Sequence, residues 1–375
     1  MPVGRISTVD NIYARLGVTP VINAAGTETA SGGAMMVPEA LEAMQQAAKQ
    51  YVLVEELNDA IGWRIAEATG AEAGMVTSGA AGGLLLSAAA CIAGDDPAKV
   101  SRLPQSGGMA NQFIIHRSHR INYDHMFRAA GGEFVEIGIP RTTYEWELRD
   151  AINESTAGVV WVESPSVVGG TLPFETVVAI AHEYNVPVIV DAASMLPPVS
   201  HLRLWIEQGA DLVSYSGGKG IRGPQNSGML AGRADLIAGA RASSSPRTGV
   251  GRAAKVSRET MAGFAAALER FLEHDHDVDF REHLAQAEVI CEILGESQRV
   301  KIELITDQRI TPDPVVRLAP VAGARWTPDE LRARLLAGDP RIYTRREHHY
   351  LVIRTHCLHG DEPETVARAI RELVG

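Results

Sequence analysis

From residue 73 to residue 232 the chain alternates between two kinds of segment. Short apolar runs such as "AGMVTSG", "QFIIHRS", "EFVEIGI", "TAGVVWVES", "VPVIVDAAS", "DLVSYSGGK" and "SGMLAGR" read as strands. Between them lie stretches that suit helices, among them "AAGGLLLSAAACIAG", "TYEWELRDAINE" and "PFETVVAIAHEYN". Strands spaced by helices of about 10–15 residues specify βαβ units, because two parallel neighbours need a long crossover. Several runs are apolar at successive positions rather than alternate ones, which predicts a sheet with helices on both faces. This bears directly on function: an open parallel sheet binds its ligand beyond the carboxyl ends of its strands.

The flanks differ. Residues 1–35, including "GVTPVINAAGTETASGGA", are dense in turn residues and read as an irregular arm. Two helices follow, one with Pro38 in its first turn and one stopping at Gly70. They open a large domain over 36–245. Beyond Pro246 the rhythm changes to a long helix or helix pair, then the strands "VKIELITD", "DPVVRLAP" and "RIYTRREHHYLVIRT" with two further helices. That predicts a small α+β domain over 246–375.

A length of 375 residues suits one large and one smaller domain. The net charge of −11 argues against nucleic acid as a partner, which needs a concentrated positive surface, but leaves room for a local basic pocket. Cys91, Cys291 and Cys357 are too scattered for a zinc site or a disulfide framework and fit a reducing cytoplasm. The N-terminal stretch lacks a secretion signal. The longest apolar run, 84–93, is too short to cross a bilayer. The paired histidines His274/His276, His348/His349 and His356/His359 lack acid or thiolate partners at ligand spacing, so no metal is expected.

Three stretches fall at the carboxyl ends of the expected strands. In "TSGAAGG", Ser78, Gly79 and Ala80 lie between a strand and a helix, where backbone N–H groups and the helix dipole attract an anion; such turns also carry Gly and Ser for steric reasons alone. In "VPVIVDAAS", Asp191 ends an apolar strand. It could cap a turn, or hold a proton on a ring nitrogen of a cofactor. In "SYSGGKGIRGPQ", Lys219 could reach solvent, or be desolvated enough to attack a carbonyl. The glycines at 217, 218, 220 and 223 would let a bulky ligand approach the backbone.

Taken together, Asp191 precedes Lys219 by 28 residues, Ser216 stands three before the lysine, and the anion turn lies upstream. This pattern resembles the fold-type I pyridoxal-phosphate enzymes. "INAAGT", "SGGKGIRGPQNSGML" and "VGRAAKV" are most similar to the SelA-like family of selenocysteine synthases and aminosugar-acid ammonia-lyases, over about 16–272. The resemblance implies a mostly parallel seven-stranded sheet, pyridoxal 5'-phosphate as cofactor, and at least a homodimer.

The resemblance also implies roles. Lys219 would form the imine with the cofactor aldehyde and carry protons at the substrate Cα. Asp191 would pair with the pyridinium nitrogen. His119 would stack on the ring, with His116 and His125 nearby, or else serve as a cap or core histidine. Ser194 would lie near the phenolic oxygen, and Ser216 with the 78–80 turn would hold the phosphate. Arg252 and Lys255, one helical turn apart, would meet an anionic substrate group. Asn23 would approach the site from the arm, and Arg354 would take the α-carboxylate. The implied reaction is α,β-elimination from a hydroxy-amino acid or aminosugar acid, giving a 2-keto acid and ammonia. A selenocysteine synthase-like transferase is a second reading, disfavoured by the acidic charge and by the chain opening almost at the arm, without a tRNA-gripping domain. A racemase, an aldolase and a non-catalytic binding module are the others.

Overall fold

The computed structural model describes residues 11–164, 169–295, 297–308 and 311–375. The chain forms two compact units. The larger runs from Gly32 to His276, and the smaller combines the chain before Gly32 with Asp277–Gly375.

Strands are numbered along the chain. β1 (Ile22–Asn23) precedes the larger unit, whose sheet comprises β2 (Ala73–Thr77), β3 (Gln112–His116), β4 (Glu133–Ile137), β5 (Thr156–Val162), β6 (Val188–Asp191), β7 (Leu212–Ser216) and β8 (Gly228–Gly232). The spatial order is β2-β8-β7-β6-β5-β3-β4. All neighbours are parallel except at β8, which runs against both β2 and β7. The expected strands are thus present and the sheet is covered on both faces. Val188 and Val190 of β6 enter one core cluster, while Ile189 between them enters the other. Successive strand residues point to opposite faces, so two covered faces require a continuous apolar run.

Residues 246–276, expected in the C-terminal domain, belong to the larger unit. The helix Arg258–Glu273 buries Met261, Phe264, Leu268 and Phe271 in the same cluster as the sheet. It sits so close to the helix Pro38–Ala47 that a Cβ on Gly263 would lie 2.6 Å from Met44 Cγ. The helix Ala234–Ser243, which the strand-and-helix rhythm does not reveal, also packs into the larger unit through Leu236, Ile237 and Ala240.

In the smaller unit the arm is not wholly irregular. β1 pairs in parallel with β11 (Ile342–Tyr343), Ile22 opposite Ile342. β9 (Val300–Ile305), β10 (Val315–Pro320), β12 (Arg345–Glu347) and β13 (Tyr350–Arg354) form an antiparallel sheet in the order β12-β13-β10-β9. The helices Pro328–Ala337 and Glu362–Val374 add Leu331, Leu335, Val366 and Ile370 to its core.

The amino ends of the central strands are tied by a buried carboxylate. Asp211 Oδ2 accepts from the Val188 N–H at 2.7 Å and lies 2.9 Å from His182 Nε2, and Oδ1 accepts from Arg233 at 3.1 Å. Substituting Asp211→Ala strands a buried N–H and breaks these pairings, and should lower stability by about 2–3 kcal/mol in urea unfolding. Because Asp211 lies at the edge opposite Asp191, ligand affinity at the carboxyl edge should be unchanged.

Candidate active site

The strand register assembles a row of polar groups at the carboxyl edge. Asp191 on β6 stands opposite Val162 on β5 and Ser214 on β7. One step further out, Gly228 on β8 faces both Ser216 on β7 and Thr77 on β2. Segments distant in sequence therefore meet because the hydrogen-bond ladder aligns their ends.

Asp191 is buried, with 6% of its surface exposed. Oδ1 accepts from the Ala193 N–H at 3.1 Å, and the main-chain carbonyl accepts from Glu163 N–H at 2.9 Å. Burial raises its carboxyl pKa above the ordinary range, opposed by the Ala193 N–H and by the charge of Lys219. An acid in this setting suits a protonated heterocycle, which would supply the charge that burial otherwise makes costly.

Lys219 lies in a tight knot following β7. Gly217 N–H donates to Ser227 O and Gly223 N–H to Gly217 O, both at 2.8 Å, and Arg222 N–H returns to Lys219 O at 2.9 Å. The surrounding glycines, which the sequence suggests as room for a ligand, let the protein pack closely on itself. A Cβ at Gly217 would sit 2.3 Å from Ser227 Oγ, at Gly218 2.4 Å from Gln225 Cα, and at Gly220 2.1 Å from Leu196 O. At Gly223 it would meet Gly217 O at 3.2 Å. The knot is further pinned by Ala34 N–H, which donates to Gly218 O at 2.9 Å.

The 78–80 turn joins β2 to the helix that follows it. Gly79, at φ 65°, starts the helix Gly79–Ala93, and no atom lies within 4 Å of where its Cβ would be. Ser78 is the N-cap residue and makes no side-chain cap bond, and Thr77 Oγ1 donates to Gly79 O at 2.8 Å. Gly228 crosses this turn closely, since a Cβ there would be 2.5 Å from Gly79 C. Ser216, half-buried across from Gly228, is thereby brought to the same place. Ser194, also half-buried, lies in the 192–195 turn after β6, closed by Met195 N–H to Ala192 O at 3.2 Å.

Arg252 and Lys255 are exposed and lie on the 3₁₀ turn Arg252–Ala254 and at its end. That turn abuts the start of the 79–93 helix, where a Cβ on Gly82 would be 4.0 Å from Ala254 Cβ.

His119 is buried, 2% exposed, just beyond β3. Its Nδ1 accepts from Val162 N–H at 3.2 Å, so the ring proton resides on Nε2. Trp161 stands edge-on, ring centroids 4.5 Å apart at 90°, and is itself fixed by Nε1 donating to Glu163 Oε2 at 2.9 Å. Burial, with a smaller contribution from His116, lowers the His119 pKa to about 3; burial lowers that of His116 to about 4. Both rings are neutral at physiological pH.

Asn23 and Arg354 both belong to the smaller unit. Asn23 Nδ2 donates to Gly26 O at 2.9 Å and Ser31 Oγ at 3.1 Å, while Oδ1 accepts from Ala25 N–H at 3.1 Å. Arg354 pairs with Glu347 at 3.3 Å and donates to Thr311 Oγ1 at 3.4 Å, and its N–H donates to Ala24 O at 2.9 Å. Their structural roles within that unit are evident.

Two residues of this neighbourhood escape sequence reasoning. Trp161 looks like an ordinary core aromatic. Ser214 lies in the apolar run "LVSYS", two residues before Ser216 and hence on the same sheet face, the one signal that could have singled it out.

The family model described as L-seryl-tRNA selenium transferase, SelA, matches residues 21–310. The chain belongs to the SelA family. It is 36% identical over 290 residues to D-glucosaminate-6-phosphate ammonia lyase of Salmonella typhimurium, covering 76% of each chain. It is 33% identical over 374 residues to 5'-C-glycyluridine monooxygenase-decarboxylase of a Streptomyces species, covering 96% of this chain and 92% of the relative. An L-seryl-tRNA(Sec) selenium transferase of Solidesulfovibrio magneticus is 26% identical, covering 94% and 81%. Among solved structures, a D-glucosaminate-6-phosphate ammonia-lyase superposes with a TM-score of 0.84 at 31% identity, covering 98% of each chain. A cysteine desulfurase from Thermococcus onnurineus, at 17% identity and a TM-score of 0.61, covering 96% of each chain, shares the fold. The architecture is that of the fold-type I pyridoxal-phosphate enzymes.

The depressed histidine pKa values have a stability consequence. The unfolded chain takes up protons below about pH 6.5 that the folded His119 and His116 refuse, so stability falls as pH drops from there toward their folded pKa values. The urea midpoint should therefore fall between pH 7 and pH 5, with a shallower fall in His119→Gln. An unchanged slope in the variant would remove the assignment of a neutral buried imidazole.

Proposed function

We propose that the chain is a pyridoxal-phosphate-dependent lyase that converts a hydroxy-amino acid or aminosugar acid into a 2-keto acid and ammonia. The observation that carries this reading is the buried carboxylate of Asp191 under the influence of the Lys219 charge at the strand ends. Two further features fit the cofactor: the open space at Gly79 suits a phosphate, and the buried acid suits a protonated ring nitrogen. The bound cofactor supplies an electron sink for the Cα substituent of an amino acid.

The residues of this chain do the rest. Asp191, shielded from water, keeps a proton on the ring nitrogen. Ser78, Gly79, Ala80 and Ser216 hold the phosphate, and Ser194 lies toward the phenolic oxygen. His119, neutral and clamped edge-on by Trp161, covers one ring face. Lys219 anchors the cofactor, removes the Cα proton and returns a proton to the departing β-hydroxyl, which leaves as water. The released enamine rearranges and takes up one water to give keto acid and ammonia, so the net change is loss of ammonia. Arg252 and Lys255 steer an anionic substrate tail toward the site. Asn23 and Arg354 are engaged within the smaller unit, and no step is assigned to them.

A homodimer accords with the apolar side chains left exposed on and between the helices Pro38–Ala47 and Val54–Thr69, namely Leu41, Tyr51, Leu53 and Trp63. Among the described residues no helix is long and apolar enough to cross a membrane. A cytoplasmic setting accords with three cysteines that form no disulfide.

Decarboxylation is the second reading. The 5'-C-glycyluridine monooxygenase-decarboxylase aligns over 96% of the chain, whereas the ammonia-lyase alignment spans 76%. A panel of D- and L-hydroxyamino acids and aminosugar acids separates the two. Elimination releases equimolar ammonia and keto acid without carbon dioxide, and the converse product pattern would replace it with decarboxylation. Wild type mixed with the cofactor should show a visible absorption band that borohydride bleaches. Lys219→Ala should fold, lack that band and lose turnover by at least about a thousandfold; full activity would end the assignment. Arg252→Ala should raise KM about tenfold for phosphorylated substrates and little for neutral amino acids. Equal effects on both would reject an anion-steering role.

A further inference from the structure

Ser214 has no exposed surface, yet it carries a hydroxyl in the middle of the central sheet. Its side chain points to the same face as Asp191, its neighbour across the ladder, and as Ser216 two residues on. Its Oγ donates to the carbonyl of Ala80 at 3.1 Å, within the first turn of the helix Gly79–Ala93. That turn is the one with open space at Gly79. Ser214 thus bonds to the anion-binding turn with its side chain while its backbone stands beside the ring acid.

The helix is shaped around this bond. Gly83 faces Ser214, and a Cβ at position 83 would lie 2.2 Å from Oγ and 3.2 Å from Ser214 Cβ. Glycine inside a helix costs about 1 kcal/mol relative to alanine, so a position that keeps it is held by packing. The main contact to be avoided is the serine hydroxyl.

We propose that Ser214 is a positioning residue: with Gly83 making room for its hydroxyl, it sets how far the phosphate-binding turn stands from Asp191. The proposal rests on the cofactor reading given above. Ser214 does not itself touch the cofactor. It acts by holding the 79–93 helix at one height over the sheet, so that the turn and the ring acid engage the two ends of one molecule together.

The test compares pyridoxal 5'-phosphate with pyridoxal, which lacks the phosphate, as ligands of the apoprotein. Dissociation constants are read from quenching of tryptophan fluorescence, and thermal unfolding of each apoprotein is recorded in parallel. Ser214→Ala should weaken pyridoxal 5'-phosphate about five- to tenfold, the equivalent of one hydrogen bond, and change pyridoxal less than twofold. Gly83→Ala should weaken the phosphorylated ligand more, because the new methyl pushes the helix off the hydroxyl. Combining the two should recover much of that loss, since the nearest atom then retreats to 3.2 Å. Equal weakening of both ligands in Ser214→Ala would show a merely structural serine and overturn the proposal, as would an unchanged affinity for the phosphorylated ligand or a double variant no better than Gly83→Ala. Wild-type protein that binds neither ligand would instead remove the cofactor reading on which the proposal stands.

Discussion

A carboxylate at the end of a fully apolar strand must be matched by something, and most of this site follows from how Asp191 is matched. Water is excluded by the sheet and the helices on it. One backbone N–H and the nearby charge of Lys219 offset only part of the cost, and the acid's pKa remains raised. The lysine can be there because its loop is knotted tightly enough to hold a long side chain at the strand ends. The knot is possible because four glycines let main chain lie against main chain and against Ser227, with no room for a Cβ at three of them. A chain of steric requirements thus runs from small residues to the loop of Lys219 and to a buried acid.

The two edges of the central sheet divide the work. At the amino edge Asp211 is fully paired, with a backbone N–H, a histidine and an arginine around it. At the carboxyl edge Asp191 has one backbone N–H on its side chain and a cation close by. The first arrangement stabilises the fold and the second leaves binding capacity for a ligand. Strained or under-satisfied groups collect where function lies, and the rest of the domain must be stable enough to carry them.

Much of this was legible in the sequence. The larger unit's strands are short apolar runs with local punctuation, and parallel pairing follows from their spacing. The Asp191–Lys219 interval could be read because Asp191 ends one strand and Lys219 follows the next in a regular alternation. What escaped reading was non-local. The glycines near Lys219 looked like access for a ligand, because a sequence does not show that Leu196 O and Gln225 would occupy the space. Ser214 was hidden in an apolar run, since its partner is the carbonyl of a residue 134 positions away. The segment 246–276 changes rhythm but packs by an amphipathic face onto the helix Pro38–Ala47, so composition alone assigned it to the wrong side of the boundary.

The pairing of β1 with β11 reaches across more than three hundred residues of chain, from Ile22 to Ile342. During synthesis the stretch from Gly32 to His276 emerges complete, and it can collapse around its own core while the polypeptide is still being made. The strand Ile22–Asn23 has no such option, because its partner leaves the ribosome more than three hundred residues later. That strand therefore waits for β11 to emerge, and until then the nascent chain carries it without its ladder.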